Sequence, residues 1–171
     1  MSLDSLEKLF LEELKDVYNA EKQIVRALPR MAKAAESPEL AKAFTQHLKE
    51  TEGQVQRLER IFKELGQAAR GKKCKGMEGL LEEGKEVLEE EGEPAVIDAA
   101  LIASAQRVEH YEIAAYGCLR TYASLLGYSE AERLLQQTLE EEEAADQKLS
   151  KLGESGINQA AAMAGAGVEE D

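Results

Sequence analysis

The stretch from Ile102 to Leu126 constrains this chain more than any other. At helical spacing it presents Ile102, Ala105, Glu109, Glu112, Tyr116, Leu119, Ala123 and Leu126, in steps that alternate three and four. That spacing makes one stripe along an α-helix, the face that packs against partner helices. Two carboxylates occupy the middle of the stripe, where Leu or Ile would be expected. An ionised carboxylate in an apolar seam is costly unless it is paired or binds a metal. Two of them a turn apart ask for a cation.

Three other helical patterns carry the same anomaly. A first helix, over about residues 4–33, has Phe10, Leu14, Val17, Glu21, Ile24, Leu28 and Met31 as its stripe, with Glu21 in a seam position. Pro29 is expected to kink its last turn without ending it. A second helix, residues 37–65, starts with Ser37 as N-cap and Pro38 at the first helical position, and stops at Gly66. Its stripe is Leu40, Phe44, His47, Thr51, Gln54, Leu58, Ile61 and Leu65, polar at the centre. Glu50 shares that face, three residues after His47 and four before Gln54. Gly53, which costs about 1 kcal/mol of helix propensity relative to Ala, reads as leaving space beside the polar patch. The last long helix, residues 129–152, opens on a Ser129/Glu132 capping box and carries Leu135, Leu139, Glu142, Asp146 and Leu149.

Between the two helix pairs, the connection begins with Arg70, Lys72, Lys73 and Lys75 around Cys74 and continues as a shorter helix, about residues 77–90. A connection of that length can cross from one end of a bundle to the other. Pro94 then starts the helix that holds the Ile102–Leu126 stripe, residues 94–126. Residues 153–171 read as a Gly- and Ala-rich tail with a short docking helix near Asn158–Met163, ending in Glu169, Glu170 and Asp171.

Each long helix thus loses its apolar pattern near its own midpoint. In an antiparallel bundle of similar-length helices the midpoints share one level. Glu21, Glu50, Glu109, Glu112, Glu142 and Asp146 would then converge on a single layer, too negative for a dry core. Protonation, water or cations relieve such repulsion, and two carboxylate-bridged divalent ions do so best. Oxygen-rich ligation suits iron or manganese better than a closed structural zinc site. Glu21 and Glu109 fall at equivalent places in two successive helix hairpins, as do Glu50 and Glu142, which is how inward-facing di-metal bundles are built.

Composition agrees and narrows the partners. The chain has 171 residues, enough for one domain with a real core, and charged residues make up 32% against 5% aromatics. A net charge of −13 argues against nucleic-acid or anionic-membrane partners, which need a positive footprint. No stretch approaches the roughly 18 apolar residues of a membrane span. Cys74 and Cys118 have no metal-type spacing and read as free thiols in a reducing cytoplasm. With only two histidines, a His-rich site is nearly excluded.

Four segments, Asp16–Gln23 (DVYNAEKQ), His47–Leu58 (HLKETEGQVQRL), Ala105–Ala115 (AQRVEHYEIAA) and Thr138–Leu149 (TLEEEEAADQKL), together resemble the ferritin-like superfamily and, within it, the YciF/YciE-type stress-response family. The resemblance spans nearly the whole chain. It implies a ferritin-like four-helix bundle with a short extra helix in its long crossover. By resemblance to rubrerythrin-type sites, Glu21 and Glu109 are the lone-helix ligands. Glu112 is the extra acid of a Glu-x-x-Glu pair, Glu50 the bridging acid, and Glu142 with Asp146 stands where a Glu-x-x-x-His motif lies. Two histidines of that pattern are missing here: Gly53 and Asp146 occupy their places. His47 or Gln54 is left to take up the contact on the second helix, either as a ligand or as a ligand's hydrogen-bond partner. His47 can equally be a satisfied core histidine. Tyr116 reads as core packing with its hydroxyl on a polar neighbour.

The expected protein is therefore an all-α, single-domain bundle, a homodimer by default, holding two Fe or Mn ions. Its expected role is stress-related, with Fe(II) oxidation or peroxide removal as the chemistry. The competing expectation is a non-catalytic bundle with structural or vestigial buried acids, acting through a dimer or partner surface. Cation buffering without turnover is a third.

Overall fold

The computed structural model describes residues 3–164 and is entirely helical over them, apart from the short connections. Its elements are α1 (Leu6–Ala34), α2 (Pro38–Glu64), α3 (Lys75–Glu89), α4 (Pro94–Leu125), α5 (Ser129–Leu152) and α6 (Asn158–Ala164). A five-residue π-helical turn, Gly153–Ile157, joins the last two. Residues 165–171, with the acidic end of the expected tail, lie outside the described residues.

Local chemistry sets most of the helix ends. Ser5 and Ser37 cap α1 and α2 by accepting from the backbone N–H of Lys8 and Leu40. Gly66 and Gly127, at φ 63° and 75°, turn the chain out of α2 and α4 in the left-handed conformation that favours glycine. The helix of the connection starts at Lys75, two residues earlier than the apolar pattern suggests, because Cys74 Sγ accepts from the Met77 N–H as an N-cap. The Ser129/Glu132 capping box is not formed. Ser129 is already the first helical residue, Tyr128 precedes it, and no side chain caps that end. Pro29 is absorbed within α1, which runs on to Ala34.

Helices α1 with α2, and α4 with α5, form two hairpins, which pack together through α1 against α4 and α2 against α5. Asp98, near the start of α4, accepts from the backbone N–H of Glu36 and Ser37 at the far end of α1. Tyr128, beyond the end of α4, stacks near Phe10 at the start of α1. Neighbours are thus antiparallel. The connection makes this possible: α3 lies against α1 and α4 and carries the chain back along the bundle. The short α6 and the π-helical turn fold back onto α4.

The interior is split. One apolar core surrounds Phe10, Leu14, Phe62, Leu119 and Leu135; the other surrounds Ile24, Leu28, Phe44, Leu101 and Leu149. Between them sits a buried polar layer of Glu21, His47, Thr51, Gln54, Glu109, Glu112, Thr138 and Glu142. Most of the seam positions that broke the apolar pattern are in this layer, but Asp146 and Glu50 are not. Among the described residues, no helix is long and apolar enough to cross a membrane.

Candidate metal centre

Each side of the layer is delivered by a different helix. Glu21 comes from α1, His47 from α2, Glu109 and Glu112 from α4, and Glu142 from α5, and all five are buried. The ligand atoms of His47, Glu109, Glu112 and Glu142 lie within 4.8 Å of one another. His47 Nε2 is 3.2 Å from Glu109 Oε1 and 3.8 Å from Glu142 Oε2. Glu21 joins from the α1 side: its Oε1 accepts a hydrogen bond from the Tyr116 hydroxyl.

The remaining atoms are short of partners. Glu21 Oε2, Glu109 Oε2, and both oxygens of Glu112 and of Glu142 are buried without a hydrogen-bond donor, and neither ring nitrogen of His47 makes a well-formed hydrogen bond. Buried polar atoms are nearly always satisfied in native proteins. Oxygens and imidazole nitrogen converging without donors are the donor set that a divalent cation takes. The residues present therefore fit a metal.

Electrostatics describe the same crowding in terms of protons. Burial drives Glu112 well above the usual carboxylate range, and the charges of Glu142, Glu21 and Glu109 push the same way. Glu142 is likewise raised, by burial first and then by Glu109. Burial lifts Glu21 to about 7, against the opposing effect of the hydrogen bond from Tyr116. Burial alone would lower His47, yet Glu109, Glu50 and Glu142 outweigh it and raise the imidazole well above its ordinary value. Burial would raise Glu109, but His47 beside it holds it below that range. Without a cation, these directions favour an ion pair between His47 and Glu109, 3.2 Å apart, beside protonated carboxyls.

Two expected ligands lie elsewhere. Asp146 is turned aside, where it accepts from Gln106 Nε2 at 3.0 Å and lies 3.2 Å from His110 Nε2. Asp146 is half-buried, and its contacts with Gln106 and His110 turn it toward α4 and away from the cluster. His110 is exposed, as its angle from Glu109 implies. Glu50 stays at the edge: its side chain is 32% exposed, with Oε2 3.6 Å from His47 Nδ1 and Oε1 held by Gln46.

Gln54 is fully buried, but its amide donates to Glu141 rather than to a carboxylate of the cluster. Gly53 is not needed to make room beside the layer; a Cβ there would meet no atom within 4 Å, and the glycine opens outward.

Several features of the surroundings have no signal in the sequence pattern. Arg57 makes a bidentate pair with Glu141, at 2.7 and 2.6 Å, and also donates to Thr138. These residues sit 84 positions apart, and no local pattern announces the pair. Cys74 is buried with its Sγ 3.0 Å from the Tyr111 hydroxyl, which donates to Asp16. Burial and Asp16 raise the thiol's pKa, so the neighbouring lysines do not activate it. The tight fit of α3 on α4 also needs Gly76, where a Cβ would fall 2.7 Å from the Tyr111 ring.

Comparison with known proteins gives the same architecture. The chain is 47% identical to protein YciF of Escherichia coli (strain K12) over 162 residues, 94% of this chain and 98% of that protein. The crystal structure of the E. coli stress protein YciF superposes with a TM-score of 0.88, covering 91% of this chain and 99% of that one. YcfI from Rhodopseudomonas palustris, 44% identical, superposes with a TM-score of 0.84 over 88% and 97% of the two chains. A Xanthomonas campestris protein only 20% identical shares the fold, with a TM-score of 0.71 over 88% and 92%. Through residues 5–162, the chain belongs to the family described as Domain of unknown function (DUF892), and its relatives include the YciF stress protein.

Proposed function

We propose that the protein is a carboxylate-rich di-metal protein, binding two Fe or Mn ions in the polar layer and acting in stress response as an oxidant- or metal-handling bundle. The observation that carries this is the set of donorless oxygens on Glu21, Glu109, Glu112 and Glu142 converging on His47 between two apolar cores. Glu21, His47, Glu109, Glu112 and Glu142 would be the ligands, with Glu50 at the edge on the Nδ1 side of His47. Asp146 takes no part. The stress role rests on similarity to the E. coli stress protein YciF.

Two such ions, when bound, supply electrons to oxygen or peroxide. The chain's own residues do the rest. Tyr116 fixes the orientation of Glu21, and the two apolar cores keep water from the layer on either side. Glu112 and Glu142, both raised by burial, would hold cations only after giving up their protons, so loading would release acid.

A second reading keeps the layer free of metal. The His47–Glu109 pair and protonated Glu112 and Glu142 would then hold it, in a bundle that acts through its surface. One experiment separates the two: metal content by plasma mass spectrometry after anaerobic reconstitution, on wild type beside Glu109→Ala. About two ions per chain, lost in the variant, support the di-metal reading. Folded wild type with no stoichiometric metal would leave only the second.

A further inference from the structure

The polar layer does not fill the space around it. Beside it lies a cavity of about 370 Å³, bounded by α1, α2, α4 and α5. Its apolar lining includes Ile24, Leu28, Phe44, Val108, Ala145 and Leu149, and the buried His47 and Glu109 also line it. Glu112 and Glu142 do not line it, so it adjoins the ligand cluster on one side without being the cluster itself. Its volume is at the small end of the range for organic-ligand sites, about 300–1,000 Å³. Apolar cavities of even about 150 Å³ bind molecules such as benzene.

We infer that this cavity is a binding site for a neutral, mainly apolar organic molecule, which it holds with one end against His47 and Glu109. That this end meets a reactive centre rests on the di-metal reading; the binding itself does not.

The charges around the opening select the class. Glu50, Glu140, Glu141 and Lys148 are the charged groups around it, and Glu141 is paired by Arg57. Acids outnumber Lys148 there, so the rim disfavours an anionic head group. In the metal-free chain a carboxylate taken deep into the cavity would meet Glu109, and a hydrated cation would have to shed water against Ile24, Leu28 and Phe44. A neutral apolar molecule meets neither penalty and gains by leaving water. Small side chains maintain the space: Ala27, Ala105 and Ala145 each leave room that a larger residue would close.

The test uses the metal-free full chain and N-phenyl-1-naphthylamine, a neutral apolar probe whose fluorescence rises on burial. The expected result is saturable binding of one probe per chain, displaced by 1-octanol and at least tenfold more weakly by octanoate. Ala145→Phe and Ala27→Leu, from opposite walls, should each weaken probe binding at least tenfold while metal content after reconstitution stays at the wild-type level. Absence of saturable binding to folded wild type would overturn the inference. So would binding that neither substitution weakens, or octanoate competing as well as octanol. Probe binding that survives in a chain taking up no metal supports the pocket and removes the di-metal reading alone.

Discussion

The Tyr116 hydroxyl of α4 donates to Glu21 Oε1 of α1, and both side chains are fully buried. Through this contact the protein aims a neutral donor at the carboxylates of its polar layer. A phenol suits that position, because its ring packs as core while its hydroxyl satisfies a polar neighbour. Tyr116→Phe keeps the packing and leaves Glu21 with two unsatisfied oxygens. The metal-free variant should lose about 1–3 kcal/mol in urea denaturation, with Glu21 protonated to higher pH. Metal-loaded protein should lose less, because the cation then satisfies Glu21. Equal losses with and without metal would mean that Glu21 is not a ligand.

The metal-free protein should become less stable as pH rises. Glu21 has a folded pKa of about 7 against an ordinary 4.5. Between those values the unfolded chain releases its proton while the folded chain keeps it, so stability falls with pH across that window. On its own this amounts to something on the order of 3 kcal/mol. His47 acts in the same direction: its raised folded pKa gives stability that is fully present below the unfolded value and is lost as pH climbs through the folded one. Glu109 is depressed and opposes them only on the acid side, where its contribution is lost as pH falls. Thermal melts from about pH 5 to about pH 8 should show a falling Tm without metal and a flat or rising Tm with it, since deprotonated ligands bind cations better.

Neighbouring acids on α5 should behave in opposite ways. Glu142→Ala removes a buried oxygen pair from the cluster and should abolish stoichiometric metal binding. Asp146→Ala, four residues on, breaks only the contacts with Gln106 and His110 and should leave metal content unchanged. Plasma mass spectrometry on the two variants side by side decides the point, and metal loss in Asp146→Ala would return that residue to the ligand set.

Gly53 offers a gain of stability. It sits inside α2, and an added Cβ would meet nothing within 4 Å. Gly53→Ala should therefore stabilise the protein by about 0.5–1 kcal/mol through helix propensity alone, with metal content unaltered. A destabilised variant would show that the glycine does serve the site.

Much of this arrangement is legible in the sequence because helical period carries it. Glu21, Glu109, Glu112 and Glu142 occupy seam positions between Leu, Ile and Phe, and a stripe that must be buried takes its carboxylates with it. Asp146 misled because steps of three and four are both helical. From Glu142 either Ala145 or Asp146 continues the stripe, and only the packing of α5 against α4 chooses. Glu50 lies one position off its seam, enough to leave it half-exposed at the edge.

Asp98 shows a different limit. It is an acid in an otherwise apolar run, visible as an anomaly in AVIDAALIA, but its partners are backbone N–H groups 61 and 62 residues away. Arg57 and Glu141 likewise find each other only across the finished bundle. Pattern shows which face is buried; it does not show what a polar side chain will meet there.

The division of the interior into two apolar blocks has a consequence for the protein's lifetime in a cell. Every long helix passes through both blocks, so the acidic stratum between them is where cohesion along the bundle is weakest. A cation seated there stabilises the folded chain in proportion to the logarithm of its free concentration. On the di-metal reading, chains without the cation would open more often and be degraded sooner, so their abundance would follow the supply of that cation.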